Sequence, residues 1–262
     1  MDRSEPSNLR REILTSPALL AEEIVARHEL PPSGVTTTRQ LAITFAGAFE
    51  FQVGRSLSWV DPSRLLFVEA GQDFIDHHVV PDTGHSTIIL TPDDAILDEV
   101  AGGDGAVFGE RLRACPLRVQ MLAQRLRRTS KPLLAEELGL EILASAFGQT
   151  RRIAVHDSRC ARRAKALLYE ADEPRLTVTG IAAEIGVTPI PLTQAFKRSE
   201  GIPLYRYQTQ LRLSRALREL PDREDITDLA LELGYSSHSH FTAAFRSALG
   251  VTPSDYRRSA HC

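Results

Sequence analysis

Two stretches in the last third of the chain share their punctuation. Ile181-Ala182-Ala183-Glu184-Ile185-Gly186-Val187 is answered by Leu229-Ala230-Leu231-Glu232-Leu233-Gly234-Tyr235, so Ala182, Glu184 and Gly186 return 48 residues later as Ala230, Glu232 and Gly234. Past a one-residue insertion, Ala195, Phe196, Gly201 and Tyr207 return 49 residues later as Ala244, Phe245, Gly250 and Tyr256. Matches at fixed offsets mean a duplicated supersecondary unit, so this part of the chain must fold as two like units.

Each unit reads as helix, tight turn, helix. In the first, Val178, Ile181, Ala182 and Ile185 make an apolar stripe at helical spacing. Gly186 supplies a turn residue without a Cβ penalty, and Thr188-Pro189 is expected to cap and start the next helix. That helix turns Leu192, Ala195 and Phe196 inward and ends at Gly201. The second unit repeats the plan with Ile226, Leu229, Ala230 and Leu233, then Gly234, then Phe241, Ala244, Phe245 and Gly250. Two short helices joined by a glycine turn make a helix-turn-helix. One such pair would suit a helical bundle equally well. Two copies in a basic segment favour DNA binding. Residues 1–150 carry 14 Lys and Arg against 21 Asp and Glu, whereas 151–262 carry 17 against 13. That asymmetry, with Arg151-Arg152 and Arg162-Arg163 opening the basic part, puts a domain boundary near 150 and points to a polyanionic partner.

With Leu192, Ala195 and Phe196 inward, the outward stripe of the first recognition helix is Ile190, Thr193, Gln194 and Lys197. Its counterpart in the second is Ser239, Thr242, Ala243 and Arg246, with His240 beside it. Gln194 can pair bidentately with adenine, Thr193 and Thr242 can bond several base edges, and Ile190 and Ala243 can rest on thymine methyls. Lys197 and Arg246 are placed for phosphates. Ala243 weakens the second stripe, so the first helix is expected to discriminate more. The connector, Leu204 to Leu220, spans ~25 Å as a helix and ends at Pro221. Such a spacer can hold two recognition helices one turn, ~34 Å, apart on one DNA face.

Leu176 to Arg258 resembles the tandem helix-turn-helix domain of the AraC/XylS transcription regulators. The resemblance is carried by Ile226, Ala230, Gly234-Tyr235-Ser236, Phe241, Phe245-Arg246, Gly250-Val251-Thr252-Pro253 and Tyr256-Arg257, and in the connector by Tyr207, Arg212 and Ala216. Pro191 and Pro203 depart from the pattern, but both fall near helix starts, where the lost N–H has no partner. The resemblance implies a transcription regulator that lays helices 189–200 and 238–249 in adjacent major-groove segments of double-stranded DNA. It aligns DNA contacts with the two stripes above, His240 and Arg212. It also implies an activator that works with RNA polymerase, as a homodimer, under a small-molecule effector.

The first 150 residues carry no comparable signature. Ser16-Pro17 and Ala18 to Glu29 read as a short capped helix. Leu41–Phe45, Phe49–Val53, Leu65–Val68, Phe74–Val79 and Thr87–Leu90 read as strands punctuated by Gly, Pro and Asp, a pattern expected of a small barrel. Two helices follow, Leu117–Arg128 and Leu133–Phe147. Regulators similar to this one place a cupin-like sensor barrel and a dimerising helical pair here. The expected class is therefore α+β: a β-rich sensor and dimerisation domain over 1–150, then an all-α domain over 151–262.

Other features are expected to be structural. His77, His78 and His85 fit no metal-ligand spacing and read as solvated loop or strand-edge residues, Trp59 reads as core, and Arg125, Arg127 and Arg128 read as a solvated helix end. Cys115, Cys160 and Cys262 match no metal site and suit a reducing compartment as free thiols. No cofactor is expected. No apolar run reaches the roughly 20 residues of a membrane span, and Met1–Arg11 is polar, so a cytoplasmic, nucleoid-associated protein is expected. Two other functions remain open. One is a ligand-independent dimeric regulator. The other is an enzyme domain fused to a DNA-binding module, which lacks a visible nucleophile–base set.

Overall fold

The computed structural model describes residues 8–26, 33–79, 84–101, 108, 111–148, 158–170 and 176–260. The chain divides into two compact units, Met1–Arg152 and Ile153–Cys262. Among the described residues no helix is long and apolar enough to cross a membrane.

The first unit holds strands β1 (Asn8–Thr15), β2 (Leu19–Ala26), β3 (Ser33–Val35), β4 (Gln40–Ala46), β5 (Phe49–Val53), β6 (Ser56–Val60), β7 (Arg64–Val68), β8 (Asp73–His78), β9 (His85–Pro92) and β10 (Leu112–Ala114). They form a six-stranded sheet ordered β1-β2-β9-β4-β7-β10 and a four-stranded sheet ordered β3-β8-β5-β6. Every pairing is antiparallel. Strands β2 to β9 divide between the sheets as β2-β9-β4-β7 and β3-β8-β5-β6, the double-sheet jelly roll that cupins share. The expected barrel is present. Strands β1 and β10 lengthen one of its sheets.

The pleat explains how one sheet serves two cores. On β4, Leu41, Ile43 and Phe45 pack beneath helices α2 (Leu117–Arg128) and α3 (Pro132–Phe147), while Ala42 turns to the space between the sheets. That inner core also takes Phe49, Phe51, Val60, Leu66, Val68 and Leu112. Alternate side chains must leave opposite faces of a strand, and here both faces are covered. The two helices fall where the sequence placed them. Helix α1 (Asp94–Ala101), with Leu97 buried, was not foreseen.

The helix expected after Ser16-Pro17 is a strand. The Ser16 hydroxyl accepts from the Leu19 N–H at 3.2 Å and the Ser16 N–H donates to the Leu19 carbonyl at 3.0 Å, closing a hairpin turn between β1 and β2. Glu22 and Glu23, adjacent and both buried, are held by Arg10 on one side and by Arg11 and Arg127 on the other. Those partners lie across the sheet or about a hundred residues away, so a short window cannot show them. Positions 27–29 of the expected helix lie outside the described residues. Arg127, also expected in solvent, pairs with Glu23 at 2.5 Å and stacks 4.9 Å over the Phe45 ring. Arg125 and Arg128 are half-buried as well. Trp59 is core, its indole N–H donating to Asp61 at 2.7 Å.

The second unit is helical: α4 (Arg159–Glu170), α5 (Val178–Ile185), α6 (Pro189–Glu200), α7 (Leu204–Glu219), a 3-10 turn at Leu220–Asp222, α8 (Ile226–Glu232), α9 (His238–Leu249) and α10 (Pro253–Ser259). Around α5 and α6 the core is Ala161, Ala164, Ile181, Ala182, Ile185, Leu192, Phe196, Leu204 and Tyr207. Around α8 and α9 the rings of Tyr235, Phe241, Phe245 and Tyr256 follow one another at 5.2, 5.6 and 5.9 Å. The Tyr256 hydroxyl donates to the Leu217 carbonyl at 2.9 Å, fastening α10 to the end of α7.

Candidate nucleic-acid interface

The glycines of the repeat close identical turns. Gly186 and Gly234 have φ of 75° and 81°. After α5 the Val187 N–H reaches the Ala182 carbonyl at 2.9 Å; after α8 the Tyr235 N–H reaches Ala230 at 3.0 Å. This six-to-one bond is the Schellman closure, which needs a left-handed residue. A Cβ on Gly186 would meet nothing within 4 Å, so backbone conformation alone selects glycine there.

Beyond each turn runs a second helix pinned by two aromatic or aliphatic anchors. Leu192 and Phe196 fix α6, and Phe241 and Phe245 fix α9, all fully buried. On α6 this leaves Ile190, Thr193, Gln194 and Lys197 exposed together, with Ile190 69% exposed. The Thr193 hydroxyl already donates to the Ile190 carbonyl at 2.9 Å, so it meets a ligand as an acceptor. On α9, Ser239, His240, Ala243 and Arg246 are exposed, and His240 Nδ1 lies 3.1 Å from the Ser236 hydroxyl.

Three positions differ from expectation. Thr242 is half-buried and its hydroxyl is covered, so it does not stand in the outward stripe. Its neighbour Phe241 points straight into the core and rotates it under. Arg212 is half-buried, its guanidinium 6.0 Å over the Tyr235 ring, so it ties α7 to the second helix-turn-helix. The Thr188 hydroxyl caps nothing, although Thr188 holds the N-cap position of α6. Ser237, at the start of α9, does accept from the His240 N–H, at 3.1 Å. Two exposed side chains were passed over: Arg198 beside Lys197, and His238 at the tip of α9. Their place within a turn of the stripes was the signal.

Residues 181–259 match the family model of a helix-turn-helix domain. The segment is a helix-turn-helix domain of the AraC/XylS type. The transcriptional activator AarP of Providencia stuartii is 34% identical over 86 residues, 32% of this chain and 64% of that one. The transcriptional activator RhaR of Pectobacterium carotovorum is 28% identical over 167 residues, 63% of this chain and 51% of that one. Among solved structures, the C-terminal domain of AraT, a response regulator from Geobacillus stearothermophilus, is 31% identical over 39% of this chain and 86% of that one, with a TM-score of 0.37. The chain spans less than two thirds of the curated relatives it matches. In this AraC/XylS-type domain Pro191 lies within the first turn of α6 and Pro203 directly precedes α7, so neither interrupts a helix.

A second polar cluster lies inside the jelly roll. Asp76 pairs across the sheet with Phe51, and His78 with Phe49, so both point to the inner core. His85 is buried there, stacked 4.0 Å from the Phe49 ring, rather than at a strand edge or in a loop. His85 Nε2 lies 3.9 Å from Asp76 Oδ2, while His85 Nδ1 and Asp76 Oδ1 are buried with no hydrogen-bond partner. Burial pushes the Asp76 carboxyl up to about 8. Burial, followed by the charge of His78, pushes His85 down to about 3. Both groups are therefore neutral near pH 7, and their 3.9 Å approach is no ion pair. His77 faces away and bonds Gln52. Among the described residues no group of three or more His, Cys, Asp or Glu could hold a metal. Cys115 is buried, and desolvation raises its thiol to about 12, so it stays an unreactive thiol.

Proposed function

We propose that this protein is a sequence-specific transcription regulator that binds duplex DNA through α6 and α9 and answers to a small molecule held by its N-terminal unit. The observation that carries the DNA-binding reading is the duplication itself. Two helix-turn-helix units, closed by the same glycine turn, each present an exposed polar helix face. The 16 residues of α7 between them span about 24 Å. Phosphate contacts from Lys197 and Arg246 position the helices, and Gln194, Thr193, Ile190, Ser239, His240 and Ala243 face the base edges.

Effector control rests on the jelly roll's interior. Burying an unpaired carboxyl and imidazole costs several kcal/mol in general, and such groups sit where a partner completes them. AarP and RhaR are transcriptional activators, and we extend that direction to this chain, with RNA polymerase as its partner and a homodimer as the working form. Selection from a random-sequence duplex library with the full chain tests the DNA-binding reading. A two-part motif is expected, and a library that returns no motif contradicts it. Thermal-shift screening of the full chain against small metabolites tests the effector, because a binder raises the melting temperature by mass action.

A further inference from the structure

Helix α4 was invisible to the repeat, yet it grips both helices of the first helix-turn-helix, α5 and α6. Arg163 donates to the Ile185 carbonyl at 3.2 Å, at the end of α5. Lys165 Nζ lies 2.9 Å from Glu200 Oε1, at the last residue of α6, with side chains only 5% and 3% exposed. Resting on the DNA-binding reading above, we infer that the buried Lys165–Glu200 ion pair positions the first recognition helix, setting the orientation in which α6 reads DNA.

Three observations lead there. The pair is not needed to make the helix: a carboxylate at a helix C-terminus faces the negative end of the dipole and is unfavourable. Nor does the fold require it, because the residue 49 positions after Glu200 is Leu249, and α9 forms with an apolar side chain at that place. Finally, α6 lacks the hold that α9 has at its start. Ser237 caps α9, whereas Thr188 caps nothing and Pro189 and Pro191 bring no N–H. The reading end of α6 is therefore steered from its far end, where Glu200 is bonded by Lys165 and by the Ser199 hydroxyl at 3.2 Å. From Glu200 to Ile190 the lever is about 15 Å, so a small tilt at the anchor moves the base-reading side chains. Buried ion pairs add little net stability over apolar isosteres but can specify a geometry.

The test is the full chain carrying Lys165→Met with Glu200→Leu, which removes both charges together and gives α6 the terminal leucine that α9 has. Random duplex selection is run beside the wild type, with thermal melting as the stability control. The expected result is a melting temperature close to wild type and a motif that keeps the half read by α9 but loses definition in the half read by α6. The ratio of affinities for the wild-type motif and a scrambled duplex should fall about tenfold, the size of a lost base-pair preference. An unchanged two-part motif in a folded double variant overturns the proposal. Lys165→Arg, which keeps the charge but displaces it, is the second variant: a smaller loss confined to the α6 half supports the inference, and an intact motif counts against it. If the wild type itself selects no motif, the DNA-binding reading fails first, and the inference with it.

Discussion

Gln194 stands exposed between Thr193 and Lys197, with no side-chain bond to an α6 neighbour to hold it back. An amide so placed can bond adenine twice, and Gln194→Ala should cost ~1–3 kcal/mol at one motif position while leaving the others intact. Competition binding on single-position variants of the selected duplex measures it; equal losses on specific and scrambled duplexes would remove Gln194 from the readers. Within the jelly roll, Asp76 keeps its proton up to about pH 8, while in the unfolded chain it ionises near 3.8. Between those values the folded state holds the extra proton, so this group lowers stability as pH rises. His85 acts the other way, because its shift from 6.5 to about 3 lowers stability as pH falls through that range. The two oppose one another up to pH 6.5, and Asp76 acts alone from there to about 8. Melting temperature followed across that upper window should decline, and Asp76→Asn should flatten the decline. A slope that survives the substitution would clear Asp76.

At the scale of elements, the caps separate what a residue type promises from what it does. Thr177 and Ser237 accept backbone N–H bonds at 3.0 and 3.1 Å, and Thr188 accepts none. Ser237→Ala should therefore destabilise by about 1 kcal/mol, whereas Thr188→Ala should change little, as urea titration can show. The same contrast explains what was legible. Helices α5, α6, α8 and α9 could be read because helical period, turn glycine and duplication agree at every position. Central strands β4, β5, β7, β8 and β9 could be read because apolar runs end at Gly, Pro or Asp. Strand β2 could not, since Ser16-Pro17 imitates a helix cap and Glu22-Glu23 finds its arginines only in the folded sheet. Helix α4 was hidden because Arg162 and Arg163 read only as the opening of the basic part at a domain boundary, although Ala161, Ala164 and Lys165 pack inward. Of the expected stripes, Ile190, Thr193, Gln194 and Lys197 are exposed together, but Thr242 and Arg212 are half-buried, because their burial depends on Tyr235 and Phe241.

Across the whole molecule the charge is divided. The 31 Lys and Arg against 34 Asp and Glu conceal a basic second half, whose exposed cations include Lys197, Arg198 and Arg246. DNA affinity should fall linearly with salt on logarithmic axes, by roughly 0.9 per phosphate neutralised. Lys197→Ala and Arg246→Ala should each reduce that slope by about one without altering the motif. A slope left unchanged would show that neither side chain meets a phosphate. In the proposed complex, one chain reads two adjacent groove segments through α6 and α9. Methylation-interference footprinting of the full chain on its selected duplex tests it most directly. Two blocks are expected on one face of the duplex, about 10 base pairs apart, the α6 block weakened by Gln194→Ala. A single block, or blocks on opposite faces, would contradict this reading.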